Sequence, residues 1–139
     1  MNIEAVSEVY QKLNKHNLHL LEGLYHEDVV FEDSAHRLEG WQQLSAYFDA
    51  LYSNVIKCEF DIRHHQQVEN NGFLTWTMTL EHPKLNGGEV VSVNGVSHIQ
   101  FADHQVIYHR DYFDLGEMLY ENIPLLGVVI KNIKQRLGK

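Results

Sequence analysis

Four long runs of strand-forming residues, 57–68, 73–82, 89–102 and 105–114, follow one another with short breaks, and nothing else in the chain constrains its fold as much. Each run alternates in polarity or is rich in β-branched and aromatic side chains. The breaks hold Asn70-Asn71-Gly72, Asn86-Gly87-Gly88 and Ala102-Asp103-His104, residue types that suit tight hairpin turns. Strands joined this way predict an antiparallel meander with one face to bury. Gly95, inside VVSVNGVSHIQF, marks an expected bulge or kink that lets the sheet curl.

The cover for that face lies upstream. Val6, Val9, Tyr10 and Leu13 recur at helical spacing, and Asn17 is placed to cap a second short helix carrying Leu18, Leu21 and Leu24, so a helical hairpin is expected to open the chain. LYHEDVVFEDSA reads as a turn, a short strand through Val29, Val30 and Phe31, and an irregular acidic exit that Gly40 ends. Trp41, Leu44, Phe48, Leu51 and Val55 then fall on one stripe of a third helix. Helices that precede a hairpin-linked sheet predict an α+β domain with the helices on one face.

Composition narrows the function classes. With 139 residues, 44% of them apolar, one domain with a sizeable core is enough. A net charge of −8, from nineteen acids against eleven Lys and Arg, argues against a nucleic-acid partner and leaves small neutral or cationic ligands open. The lone cysteine, Cys58, has no internal disulfide partner and reads as a buried structural thiol. MNIEAVSEVY carries neither a basic leader nor an apolar signal core, and no apolar run approaches the roughly 20 residues of a membrane span, so a cytoplasmic protein is expected. The ten histidines lack metal-ligand spacing: His64 and His65 are adjacent on a strand and point to opposite sides, and His16 and His19 straddle a helix break. No metal and no cofactor are expected, since glycine-rich phosphate loops and a Gly-x-Ser-x-Gly motif are also missing.

Residues 116–139 differ in character. Met118, Leu119, Ile123, Leu125, Leu126, Val129, Ile130, Ile133 and Leu137 follow an apolar helical pattern that Pro124 divides, while Lys131, Lys134, Arg136 and Lys139 add four positive charges. This extension is expected to pack on the same domain or on a dimer partner. Contact with a membrane surface is the weaker alternative.

Two segments carry a resemblance. HQVIYHRDYFDL, residues 104–115, resembles the last strand of limonene-1,2-epoxide hydrolase, which shares Arg-Asp-Tyr-Phe-Asp-Leu. LYHEDVVFED, residues 24–33, resembles the first-strand region of Δ5-3-ketosteroid isomerase, with its Glu-Asp pair. Both families belong to the nuclear transport factor 2-like, or SnoaL-like, class. The resemblance spans about residues 3 to 115 and implies a cone-shaped, strongly curved antiparallel sheet (a cystatin-like α+β barrel) as residues 1–115, with 116–139 as an extra amphipathic helix. It places Asp111 on the carboxyl that protonates the epoxide, but Met78 and Leu80 stand where that family has an arginine and a partner carboxylate. Phe31 and Asp33 stand at its water-holding Tyr and Asn. Asp33 also matches the isomerase base, while the oxyanion-binding Tyr and Asp of the isomerases fall on or near Val9 and Ser97, with Tyr10 one residue away. The SnoaL-like polyketide cyclases, which use a carboxylate acid/base, are the looser relatives.

The period of a strand places Ile107, His109, Asp111 and Phe113 on one face and Tyr108, Arg110, Tyr112 and Asp114 on the other. By the same rule Trp76, Met78 and Leu80 share a face, as do Ser97 and Ile99. With Phe31 and Trp41 these side chains predict an apolar cup that holds Asp111, His109 and, near its better-solvated rim, Asp33. Asp33 as base, Asp111 as acid and His109 as modulator form the expected catalytic set. Simpler roles stay open: Asp111 pairing with Arg63, Arg110 or backbone, Asp33 capping a turn in FEDSAH, and the aromatics as plain core. The sequence thus predicts a cofactor-free isomerase, cyclase or hydrolase acting on a small hydrophobic carbonyl or polyketide-like compound. A homodimer is expected, and the alternative is a non-catalytic ligand-binding or dimeric interaction module of the same fold.

Overall fold

The computed structural model describes residues 1–118 and 126–138. The elements run α1 (Ile3–Lys12), a 3-10 turn (Leu18–Leu21), β1 (Tyr25–Glu32), β2 (Arg37–Glu39), α2 (Trp41–Asn54), β3 (Lys57–Val68), β4 (Asn71–Glu81), a second 3-10 turn (Asn86–Gly88), β5 (Val90–Ala102), β6 (Gln105–Phe113), α3 (Leu115–Met118) and α4 (Leu126–Leu137). The fold is α+β: one open six-stranded sheet in the order β2-β1-β6-β5-β4-β3, with helices on the face that bears the core. β3 to β6 form the expected antiparallel meander, and β1 joins it parallel to β6. Hairpin logic does not see that pairing, because the two strands lie at opposite ends of the domain.

Local chemistry accounts for most boundaries. Asn2 caps α1 by accepting from the Ala5 N–H at 3.0 Å, and Val6 and Tyr10 bury one stripe of that helix. The expected second helix is only a 3-10 turn that stops short of Leu24. Asn17 stands at its N-cap without capping it, because its amide donates to the Lys12 carbonyl and accepts from the Asn14 N–H. The acidic exit after β1 is ordered as β2, which pairs with β1 through Glu32↔Arg37 and Phe31↔Leu38. Gly40, at φ 86°, turns the chain into α2 and donates its N–H to the Val29 carbonyl. Along α2, Leu44, Phe48 and Tyr52 are buried at four-residue spacing, and a fully buried Leu or Phe contributes roughly 1.5–3 kcal/mol.

Two expectations about the sheet are corrected. Gly95 carries no bulge: the β4–β5 register runs unbroken through Trp76↔Gly95. Its glycine is needed because a Cβ there would lie 2.3 Å from the Trp76 ring, which lies across the strand at this point. Irregularities sit elsewhere: in β3, where Ile62 pairs with Trp76 and His64 with Thr75, leaving Arg63 extra, in the β1–β6 pairing between Tyr25 and Val30, and in β6, where Gln100 pairs with Tyr108 and Phe101 with Val106, leaving Ile107 as the extra residue. Val106, not Ile107, is therefore the fully buried neighbour on the core side before His109.

The end of the chain is tied down more loosely. Leu115 and Met118 of α3 cover the open end of the core, and the Lys134 ammonium of α4 pairs with Asp114 at 2.9 Å. Within α4 only Gly127 is buried, while Leu126, Val129, Ile133 and Leu137 are exposed. Leu119, Ile123, Pro124, Leu125 and Lys139 lie outside the described residues. No helix among the described residues is long and apolar enough to cross a membrane.

Candidate active site

Between the inner face of the sheet, α1 and α2 lies a cavity of about 270 Å³, near the lower end of the range for small-molecule pockets. Tyr10 enters from α1, Phe31 from β1, Tyr47, Phe48, Leu51 and Tyr52 from α2, Cys58 and Phe60 from β3, and Trp76, Met78 and Leu80 from β4. Asp111 and Phe113 of β6, Leu115 and Met118 of α3, and Asp33, Ala35 and His36 from the β1–β2 connection complete the wall. No Lys or Arg is among these residues.

Asp111 points inward because the strand period, resumed after the Ile107 bulge, turns His109, Asp111 and Phe113 to the core side. Its Oδ1 accepts from the Ser97 hydroxyl at 2.5 Å and meets His109 Nε2 at 2.6 Å. Residues i and i+2 on a strand sit about 7 Å apart at the backbone, yet here the two side chains lean together and touch. Ser97 lies opposite Asp111 in the β5–β6 register, and its hydroxyl also accepts from the Trp76 indole N–H at 2.9 Å. An indole only donates, so the serine proton is committed to the carboxylate. Asp111 Oδ2 has no hydrogen-bond partner among the described residues and is not sealed from the cavity. Neither arginine considered as a partner takes it: Arg63 lies by Asp61, and Arg110 by Glu32.

His109, 2% exposed, continues the network away from Asp111. Its Nδ1 is 2.8 Å from the Tyr25 hydroxyl, which shares a short hydrogen bond with the hydroxyl of Tyr10. Burial raises the pKa of both phenols, and the Asp111 charge adds to the effect, so both stay protonated at neutral pH. Tyr52 is also pushed up by burial. Its hydroxyl is buried and has no hydrogen-bond partner among the described residues. Burial raises Cys58 itself to about 11.

Asp33 is held quite differently. Its Oδ1 accepts from the backbone N–H of Ala35 at 2.8 Å and of His36 at 2.7 Å, and His36 Nδ1 lies 3.1 Å away. The His36 ring in turn packs on Tyr47, with centroids 4.9 Å apart. The expectation of a better-solvated Asp33 is reversed: its side chain is 7% exposed against 16% for Asp111, because the turn folds back over its own carboxylate.

The sequence profile of the SnoaL-like domain matches residues 6–109. The chain belongs to the SnoaL-like family. No curated protein matches it. Among solved structures it is similar to a LEH-like epoxide hydrolase from M. tuberculosis, at 20% identity, TM-score 0.72, covering 93% of this chain and 95% of that one. It is also similar to a protein proposed to be a SnoaL-like polyketide cyclase from Jannaschia sp. CCS1, at 19% identity and TM-score 0.70, covering 81% and 85%. A third is a protein of ketosteroid isomerase-like fold from Catenulispora acidiphila DSM 44928, in complex with trimethylamine, at 13% identity and TM-score 0.72, covering 86% and 90%. At these identities the likeness is one of fold.

Of the side chains expected to line the cup in this SnoaL-like domain, Phe31, Trp76, Met78, Leu80 and Phe113 do so beside Asp111 and Asp33. Trp41 does not: it stacks on Tyr25 with centroids 5.8 Å apart and lines a separate groove with Leu18 and Asp49. Ile99 is 0% exposed core opposite His109, and Ser97 lines only a small void behind Asp111. The one-residue offset of Tyr10 does not remove a tyrosine from the site, since Tyr10 is the α1 residue that reaches the cavity. Tyr25, Tyr47, Tyr52 and His36 escaped the sequence reading. A phenol on a buried stripe needs a hydrogen-bond partner, and for Tyr10, on the apolar stripe of α1, that rule is the sequence signal that leads to Tyr25.

Proposed function

We propose that this cavity is the active site of a cofactor-free acid/base enzyme acting on a small, hydrophobic, uncharged carbonyl compound of polyketide type, with Asp111 as the group that exchanges a proton with it. One observation carries the reading. Asp111 lines the apolar cavity with one oxygen fixed by two side chains and the other without a hydrogen-bond partner among the described residues. A carboxylate so oriented removes a proton alpha to a carbonyl at Oδ2 without spending orientation entropy at the moment of reaction. The walls fit an apolar ring system, and their lack of Lys and Arg disfavours an anionic ligand. Asp33, with His36 and Tyr47, forms the second polar corner and would hold the far polar group of the ligand.

Ligand binding without turnover is the second reading. Met78 and Leu80 favour it, since they put apolar side chains where the epoxide hydrolases of the resemblance carry charge.

The test is proton exchange. Wild type and Asp111→Asn are incubated in D₂O with a panel of cyclic ketones, 2-tetralone among them, and α-deuteration is followed by NMR. Catalysed exchange that falls at least about 100-fold in Asp111→Asn is expected, in line with the usual contribution of a general base. Equal rates in the two proteins, or no exchange above buffer in wild type, would leave the binding reading.

A further inference from the structure

We infer that Asp111 and Tyr10 are the two ends of one buried proton relay, running Asp111, His109, Tyr25, Tyr10, so that a proton taken up at the carboxylate is returned from the phenol on another wall of the same cavity. This rests on the acid/base reading above and extends it, by naming a second proton port and a class of reaction.

The geometry is continuous. Asp111 Oδ1 to His109 Nε2 is 2.6 Å, His109 Nδ1 to Tyr25 Oη is 2.8 Å, and Tyr25 and Tyr10 share a short hydrogen bond. The four groups come from β6, β1 and α1, and both ends line the cavity while the two middle groups are no more than 3% exposed. The titratable groups packed around them are Tyr52 and Tyr47 from α2, Cys58 from β3, and Asp33 and His36 from the β1–β2 connection. No Lys or Arg hydrogen-bonds to any of the four among the described residues.

Proton bookkeeping gives the relay two states. With Asp111 ionised and the imidazole neutral, every atom is satisfied one way: Tyr10 O–H donates to Tyr25, Tyr25 O–H to His109 Nδ1, and His109 Nε2–H to Asp111. With one proton more, each bond reverses. His109 Nδ1–H donates to Tyr25, Tyr25 donates to Tyr10, and the Tyr10 proton turns out to the cavity. Discharge breaks the Tyr10 O–H bond as the ligand takes that proton, and Tyr25, His109 and Asp111 each pass one along, leaving Asp111 ionised. Asp111 Oδ2 then takes the proton alpha to the ligand carbonyl as that C–H bond breaks, and its electron pair stays on the ligand. The ligand loses one proton and gains one, so the reaction class is a redox-neutral proton shift between two positions of one carbonyl compound. A half-turn of the Asp111 carboxyl, which brings the protonated oxygen to His109 Nε2, with rotation of the hydroxyls and a change of imidazole tautomer, restores the loaded orientation.

The experiment is a pH titration by NMR of protein labelled with ¹⁵N at histidine and ¹³C at the tyrosine ζ-carbon. In wild type the ζ-carbons of Tyr25 and Tyr10 are expected to shift with the same midpoint as the His109 nitrogens. Tyr25→Phe uncouples Tyr10 from that midpoint. Tyr10→Phe strands the Tyr25 proton in the loaded state, so the His109 midpoint falls by about one pH unit. A His109 titration that leaves the Tyr10 ζ-carbon flat in wild type overturns the relay, and this holds even where a variant fails to fold. A flat Tyr10 together with α-exchange that needs Asp111 sinks the relay and leaves the acid/base reading. A responsive Tyr10 without exchange upholds the relay as a proton path and sinks only the catalytic reading.

Discussion

The two carboxylates of the cavity face the same space but are built by opposite means. Asp111 is positioned by side chains from β4, β5, β6, β1 and α1, through Trp76, Ser97, His109, Tyr25 and Tyr10. Asp33 is positioned by the backbone N–H groups of Ala35 and His36 and by the His36 ring. A long-range constellation exists only when the whole sheet is in register, so its geometry is as stiff as the fold and fails with it. A local turn survives most changes elsewhere, because its carboxylate finds its partners within its own loop. On both carboxylates the close hydrogen bonds fall on Oδ1: distant side chains supply them to Asp111, whereas Asp33 takes them from its own Asx-type turn, whose His36 ring also comes within 3.4 Å of Oδ2.

The sharpest way to break this contrast is alkali. Tyr10, Tyr25 and Tyr52 have raised pKa values because burial opposes their ionised forms. For a group raised in the folded state, stability is fully present below its unfolded value, near 10 for tyrosine, and is lost as pH rises above it, since only the unfolded chain then releases the proton. Each buried phenol should remove on the order of 1 kcal/mol per pH unit above 10. Urea unfolding at intervals from pH 8 to 11.5 is expected to show a shallow loss from about pH 9, where the unfolded Cys58 thiol ionises, and a steep fall beyond about pH 10, with the ζ-carbon resonances of Tyr10, Tyr25 and Tyr52 reporting phenolate only as the protein unfolds. Reversible phenolate formation at Tyr10 or Tyr25 at constant stability would show that the Asp111 side is open to solvent and no stiffer than the Asp33 side.

Next in size is Gly95→Ala. The added methyl would meet the Trp76 ring at 2.3 Å, so the indole or the strand must move, at about 1–3 kcal/mol for overpacking. Trp76 holds Ser97, which holds Asp111, so the strain reaches the carboxylate through two hydrogen bonds. A lower thermal midpoint and a changed Asp111 side-chain resonance are expected, with Asp33 unaffected. A shift of both carboxylates alike would mean that they are not separately built.

The same division explains what the sequence disclosed. Strand alternation, turn residues and helical stripes are local, and they located the meander, α2 and the inward turn of Asp111 from the residues alone. His109 was legible as the neighbour of Asp111, but the network beyond it was not, since His109 and Tyr25 meet across 84 positions through the parallel β1–β6 pairing, which no turn signals. The bulge at Ile107 was equally hidden: it follows from how two strands twist together, and it moved Val106 to the core side. Trp41 falls outside the cavity because a helical stripe is wider than one pocket, and its ring lies against Tyr25 beside a separate groove. Asp33 was legible as both a turn residue and a base, and only the backbone contacts in FEDSAH give weight to the first.

Asp33 yields the smallest effect and the cleanest discrimination. Asp33→Ala removes the acceptor for two backbone N–H groups, and by comparison with helix N-caps, where the same kind of bond is lost, should cost about 1 kcal/mol. Asp33→Asn keeps an oxygen at the Oδ1 position and should restore most of that stability. A turn residue predicts that activity follows stability, with Asn near wild type and Ala within about tenfold of it. A catalytic base predicts the opposite, because an amide cannot take a proton: Asn would then be at least about 100-fold slower in α-exchange while folding normally. Chemical denaturation and the D₂O assay on the same three proteins separate the cases, since geometry alone rescues a turn and charge alone rescues a base. Loss of exchange in Asp33→Asn equal to that in Asp111→Asn would make the two carboxylates partners in one proton transfer, and the contrast in how they are held would then be a means of giving acid and base different surroundings within one cavity.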